Sequence, residues 1–169
     1  MELLNKTNLS TEFITTSIIE SSKLINCDLD SVLFKFVYSK KYFLSAYTEN
    51  IVQRTYRRLS KEAILKRKCT ILVVINIPEY SITDITEYIA RYYTYEIIKC
   101  ILHELSHVKD FKLGIKYDAE TMKKRWKNRW YEKKAIKNEE LFNNFNNGII
   151  DYLVLNLIQF NTQSSNGRT

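Results

Sequence analysis

The chain has 169 residues, of which 45% are hydrophobic and 27% are charged, and its formal net charge is +7. This length and apolar content predict one folded domain with its own core, over residues 1–160, and exclude an intrinsically disordered chain. With only three glycines and one proline, a turn-rich β-sandwich is also excluded, so helices are expected to dominate.

A helix is predicted near the N-terminus, where apolar residues recur at helical spacing after a capping residue, Ser10 or Thr11. The residues on this face are Ile14, Ile18, Ser21 and Ile25. Residues 32–38 are rich in β-branched and aromatic side chains, which predicts a strand, and residues 42–47 are expected to return beside it after a turn.

Residues 50–67 predict a second helix, since apolar residues and arginines fall on different sides of it. The clearest strand covers residues 70–77, a continuous apolar run that ends at Pro78. A long helix is expected near 82–112, because no glycine or proline interrupts the chain before Gly114, which is a natural C-terminal stop.

The C-terminal part predicts a helix over 120–145 and, after Gly148, a short apolar helix over 149–160. The polar residues 161–169 are expected to fray. No segment reaches the roughly 18 consecutive apolar residues of a membrane span, and no secretory signal is visible at the N-terminus.

The segment from His103 to His107 reads His-Glu-Leu-Ser-His and lies on the predicted long helix. The chain has only two histidines, and at this spacing both rings lie on one helix face and can bind one metal ion. Glu104 follows the first histidine, where its carboxylate can take a proton from a water in the metal's open coordination position. The ordinary alternative is a helix with two surface or core histidines.

This segment resembles the active-site helix of the zincin metallopeptidases, and the resemblance covers about residues 70–140. It implies an α+β fold in which a short mixed sheet packs on the N-terminal helix and on the active-site helix, with a glutamate-bearing helix after them. It also implies Zn²⁺ as cofactor, Glu104 as general base and peptide-bond hydrolysis. Residues 70–77 would then form the edge strand along which a substrate pairs, although their continuous hydrophobicity is equally typical of a buried central strand.

A third zinc ligand is expected downstream. Glu132 and Ala135 resemble the glutamate helix of the gluzincins, in which a small residue three positions after the ligand lets two helices approach. The shortest gluzincins, the minigluzincins, are the most similar in size and order. Glu139 is the alternative ligand, or a partner that supports a ligand, and Glu140 and Glu120 also remain open.

Three other residues are candidates for roles around the metal. Asp110 projects near the face of the histidines but lies too far along the helix to reach their metal, so it is expected to be solvated or to support a ligand. Tyr117 and Tyr131 are candidates for the oxyanion donor, which stays unassigned because packing is the commoner role of a tyrosine.

The basic run 123–134 contains Trp126 and Trp130, spaced one helical turn apart. Such a run can pair with phosphates and stack on bases, which favours nucleic acid as a partner. A solvated helix face with both tryptophans packed inward is the more ordinary interpretation. The alternative function is therefore a basic nucleic-acid-binding or regulatory protein with an inactive zincin-like fold.

The cysteines Cys27, Cys69 and Cys100 are an odd number at wide, irregular spacing. This pattern favours reduced thiols over a disulfide framework and predicts a cytoplasmic protein. Cys100 lies one turn before His103, where a small buried residue is the ordinary role and an inhibitory or alternative ligand the other.

Overall fold

The protein has a small mixed sheet. The computed structural model describes residues 1–40, 44–50, 69–78, 86–117, 119–125 and 128–166. Within those residues the sheet has four strands, in the order β1-β2-β4-β3. They are β1 (Glu2–Lys6), β2 (Val32–Ser39), β3 (Ser45–Asn50) and β4 (Ile71–Pro78). β1, β2 and β4 are parallel, whereas β3 is antiparallel to β4. With helices packed on it, this sheet confirms the predicted α+β class.

The apolar strand β4 is central, because it pairs with β2 on one side and with β3 on the other. Residues Ile71 to Ile75 are all buried. A strand that is covered on both faces needs this continuous hydrophobicity. The edge interpretation of residues 70–77 is therefore wrong, and the central interpretation is confirmed.

The strand after residue 44 does not return beside β2, so the predicted pairing of 42–47 with 32–38 is wrong. It forms β3, which pairs with β4 so that Ser45 lies opposite Asn76. β2 has no free side for it, since β1 and β4 flank β2. The strand β1 was not predicted, because only Leu3 and Leu4 are apolar in it and its structure depends on pairing with β2.

Two helices pack on the sheet as expected. The first, α1 (Thr11–Ile25), has Ser10 as its cap, and its predicted apolar face is buried. The long helix α2 (Glu87–Lys112) has Thr86 as its cap, and the chain leaves it through Gly114 at φ +73°, which confirms the predicted stop. α2 contacts α1, β3 and β4 as well as the later helices, so it lies at the centre of the fold.

The predicted helix over 120–145 is interrupted. It consists of α3 (Ala119–Lys123), α4 (Trp130–Glu139) and a 3₁₀ turn over Glu140–Asn144. The described residues between α3 and α4, which are 124–125 and 128–129, are not α-helical. The break lets α4 lie against α2 independently of α3.

The last helix, α5 (Asn147–Asn166), begins slightly before the predicted start at 149 and continues through most of the segment expected to fray. Residues 167–169 and Trp126 lie outside the described part of the chain, as do residues 51–67 of the helix predicted over 50–67, whereas Asn50 is the last residue of β3.

Candidate metal centre

Both histidines of the motif point into one site on α2. The Nε2 atoms of His103 and His107 are 3.2 Å apart, although their ring centroids are 5.0 Å apart. Both side chains are mostly buried, with 12% and 9% exposed. Spacing by one helical turn places the rings on the same face, as the sequence predicted, and the packing turns their Nε2 atoms towards each other.

Glu132 approaches this pair from α4. Its Oε2 atom lies 3.1 Å from Nε2 of His103 and 3.6 Å from Nε2 of His107. Ligand atoms at tetrahedral positions around zinc, with bonds of about 2.0–2.1 Å, are separated by about 3.3 Å. The three atoms match that spacing, so the residues present fit a metal ion.

The close approach of α4 to α2 has a local cause. Ala135 is completely buried, so its small side chain lets the two helices lie close together. Asn138 adds a polar contact, because its Nδ2 donates to Oγ of Ser106, inside the motif, at 2.8 Å. Ile136 lies on the outer side of α4, with 39% of its surface exposed.

The far side of each imidazole has its own partner. Nδ1 of His103 is 2.9 Å from Oε1 of Glu139, and Nδ1 of His107 is 2.9 Å from the hydroxyl oxygen of Tyr117. A neutral imidazole that donates from Nδ1 keeps a lone pair on Nε2 for a metal. Glu139 thus lies behind His103, outside the group of three close ligand atoms, and Lys99 is 3.6 Å from its other oxygen.

Electrostatics bind His103 and Glu132 together when the site holds no metal. Burial opposes the charged form of His103, but hydrogen bonds to Glu132 and Glu139 outweigh it and raise the pKa of the ring to about 9. Burial also opposes ionisation of Glu132, yet its hydrogen bonds with the histidines lower its pKa to about 2. The cluster is therefore held by an ionised carboxylate and a protonated ring, and a metal ion would replace that proton.

Glu104 is buried, with 4% of its surface exposed, and it lines the same cleft as the three close residues. Its Oε2 atom accepts a hydrogen bond of 2.7 Å from Oγ1 of Thr48 on β3. Burial raises the pKa of Glu104 more than this hydrogen bond lowers it, so its carboxylate binds a proton more readily than an exposed glutamate. Sequence reasoning missed Thr48, because no local pattern reports a contact between residues 56 positions apart.

The cleft has a volume of about 750 Å³ and runs between β3 and α4, with α2 as its floor. Residues 44–48 line one side, and Arg129 and Tyr131 line the other. Cys100 lies on the floor, where burial raises the pKa of its thiol, and it is not one of the three close ligand residues. All three cysteines are free thiols, as predicted.

The other acidic candidates lie away from the three ligand atoms. Glu120 and Glu140 are exposed. Asp110 is only 1% exposed and forms an ion pair with Lys134, so the expectation that it is solvated is wrong. The Asp110 side chain is too short to reach the three ligand atoms, and its ion pair with Lys134 joins α2 to α4 instead.

The aromatic residues near the site are held by packing. Tyr131 is buried and stacks on Tyr117 with ring centroids 3.8 Å apart, and the Tyr117 hydroxyl is occupied by His107. The contacts of Tyr117 and Tyr131 therefore do not identify either hydroxyl as an oxyanion donor. Trp130 packs edge-on against Tyr117 and Tyr131, but 43% of it stays exposed, so it packs inward only in part.

Comparisons with protein-family models, with curated proteins and with solved structures found no match. Among the described residues, no helix has both the length and the apolar content needed to cross a membrane.

Proposed function

We propose that this protein is a zinc-dependent metallopeptidase with a gluzincin-like site on a zincin-like fold. His103, His107 and Glu132 would hold the zinc ion, and Glu104 would be the general base. The observation that carries the proposal is the convergence of two Nε2 atoms and one carboxylate oxygen at separations of 3.1–3.6 Å. Two imidazoles and one carboxylate form a ligand set typical of catalytic zinc.

Peptide hydrolysis would use the zinc ion together with two residues that line the cleft, Glu104 and Thr48. A bound zinc ion would supply Lewis-acid chemistry, lowering the pKa of a water molecule and polarising the scissile carbonyl. Glu104 would take the proton of the attacking water and deliver it to the leaving amine. Thr48 occupies one oxygen of the Glu104 carboxylate, which leaves the other oxygen for that proton.

The cleft supports an extended peptide as the substrate. β3 has β4 as its one strand neighbour in the described part of the sheet, and residues 45–48 of β3 also line the cleft. A peptide bound in the cleft would lie along residues 45–48 and add to β3 as a further strand through main-chain hydrogen bonds, which place its carbonyls in register without regard to side chains.

The direct test measures the metal and the activity together. The purified protein should contain about one equivalent of zinc. A strong chelator should remove both the zinc and the hydrolysis of an unfolded protein substrate, and added zinc should restore both. A protein that takes up no zinc, or that hydrolyses the substrate equally well without it, would contradict the proposal.

Thr48 offers a further test through the pH dependence of hydrolysis. Its hydrogen bond lowers the pKa of Glu104, so Thr48→Val should raise that pKa. The base acts in its ionised form, and the acid limb of the kcat/KM profile should therefore move to higher pH while zinc content stays unchanged. Thr94 provides the matched control, because its buried hydroxyl has no hydrogen-bond partner among the described residues, and Thr94→Val should leave the profile in place. An unshifted profile in Thr48→Val would remove Thr48 from the mechanism.

A second candidate, nucleic-acid binding, is favoured by one specific feature. Exposed cations precede and follow the partly exposed Trp130 along the chain, and its neighbours Arg129 and Tyr131 line the cleft. The exposed cations are Lys123, Lys124, Arg125, Lys133 and Lys137. If this surface is the functional one, affinity for DNA or RNA should fall steeply with salt and be indifferent to chelators. The peptidase proposal predicts instead that chelators abolish hydrolysis.

A further inference from the structure

A chain of polar contacts continues behind His107, on the side away from the cluster. The Tyr117 hydroxyl is 2.9 Å from Nδ1 of His107, and 3.5 Å from Oδ2 of Asp110. Asp110 in turn forms its ion pair with Lys134 on α4. The chain therefore joins one histidine of the motif to a buried carboxylate and to the helix that carries Glu132.

The contact between His107 and Tyr117 can form in two directions, because a hydroxyl can donate or accept and so can an imidazole nitrogen. If Nδ1 donates to Tyr117, Nε2 keeps its lone pair for a metal. If Tyr117 donates to Nδ1, the ring proton lies on Nε2 and blocks that atom. The choice of tautomer therefore decides whether His107 can be a ligand.

Asp110 favours the first direction. An ionised carboxylate only accepts hydrogen bonds, so it attracts the proton of the Tyr117 hydroxyl and leaves the phenol oxygen to accept from His107. At 1% exposure Asp110 would be costly to bury as an unpaired charge, and Lys134 supplies the compensating charge. Lys134 is two residues after Glu132, so the same ion pair holds α4 against α2.

We propose that Asp110 is the positioning residue of the metal centre, acting on His107 through Tyr117. The inference rests on the proposed function, since its purpose is to keep Nε2 of His107 available to zinc. Asp110 touches neither the metal nor the substrate. It determines which nitrogen of the ring carries the proton.

The test is a double-mutant cycle on zinc affinity, measured by competition with a chromophoric chelator. Asp110→Asn should weaken zinc binding by about 10–100-fold, the usual cost of losing a partner of a metal ligand. Tyr117→Phe should cost less, because it removes the competing donor together with the acceptor. The double variant should then bind zinc more tightly than Asp110→Asn alone. Additive losses would show a merely structural role and overturn the inference.

Two further variants separate an effect on zinc binding from an effect on folding. If Asp110→Asn does not fold, the double variant Asp110→Asn/Lys134→Met removes both charges of the pair and should show the same loss of zinc affinity in a folded protein. Asp28→Asn is the matched control, since it breaks an ion pair between Asp28 and Lys112 at the end of the same helix, and it should leave zinc affinity unchanged. A loss of affinity in this control equal to that in Asp110→Asn would also count against the inference.

A readout that needs no metal separates this inference from the proposed function. The chain has two histidines, so nitrogen-15 labelling of histidine alone resolves the ring nitrogens of His103 and His107 by NMR. In the metal-free protein, Asp110→Asn should increase the fraction of His107 that is protonated on Nε2. An unchanged fraction would overturn the inference, whereas absence of zinc binding in the wild type would overturn only the proposed function.

Discussion

Replacing His103 by alanine is expected to abolish stoichiometric zinc binding and, with it, peptide hydrolysis. The substitution leaves His107 and Glu132, and a catalytic zinc site needs three protein ligands. The loss of affinity should exceed the roughly 10–100-fold that follows from removing a supporting partner. Zinc content after purification and the dissociation constant from chelator competition measure it.

The glutamates give this prediction its matched controls. Glu132→Gln should behave like His103→Ala, whereas Glu139→Gln should weaken zinc binding by about 10–100-fold, because Glu139 contacts the His103 ring only at the nitrogen that faces away from the other ligands. Glu140→Gln should have no effect, since that side chain is exposed and away from the three ligand atoms. If Glu139→Gln abolishes zinc binding and Glu132→Gln does not, the assignment of the third ligand is wrong.

His103→Ala also leaves the buried Glu132 carboxylate without its closest partner, so the metal-free variant should be less stable than the wild type. Thermal unfolding of the metal-free proteins measures this cost separately. Zinc affinity is then compared at a temperature at which both proteins are folded.

Glu104→Gln is expected to keep its zinc and lose hydrolysis by about 10²–10⁴-fold, the usual contribution of a general base. The amide oxygen of glutamine can still accept the hydrogen bond from Thr48, so the local packing should remain. The amide cannot take up a proton at neutral pH, which removes the base without removing the ligands. The kcat/KM for an unfolded protein substrate, together with zinc content, measures the separation.

Glu96→Gln is the control for this second prediction, because Glu96 also lies on α2 and lines the cleft. It should keep both zinc and activity. Full activity in Glu104→Gln would exclude Glu104 as the base, and loss of zinc from that variant would show that its carboxylate helps to hold the metal.

The sequence could predict what depends on spacing along one helix or strand. His103 and His107 share a face because a helix turns once in 3.6 residues. The small side chain of Ala135, three residues after Glu132, predicted a close approach of its helix to another one. The apolar run of β4 likewise predicted a strand, but its central place was left open, because the same run of side chains does not say which strands lie beside it. The break before α4 was missed, since no glycine or proline marks it.

By itself the sequence determined the α+β class, the motif helix with its stop at Gly114, and the placing of the two histidines on one face of that helix. Only the tertiary structure decided that Glu132 and not Glu139 meets their Nε2 atoms, that Thr48 holds Glu104, and that Asp110 stands behind Tyr117. The physical reason is the separation along the chain between the residues that interact. Helical spacing is set by neighbours along the chain, whereas these contacts join segments that meet only when α2 packs between the sheet and α4.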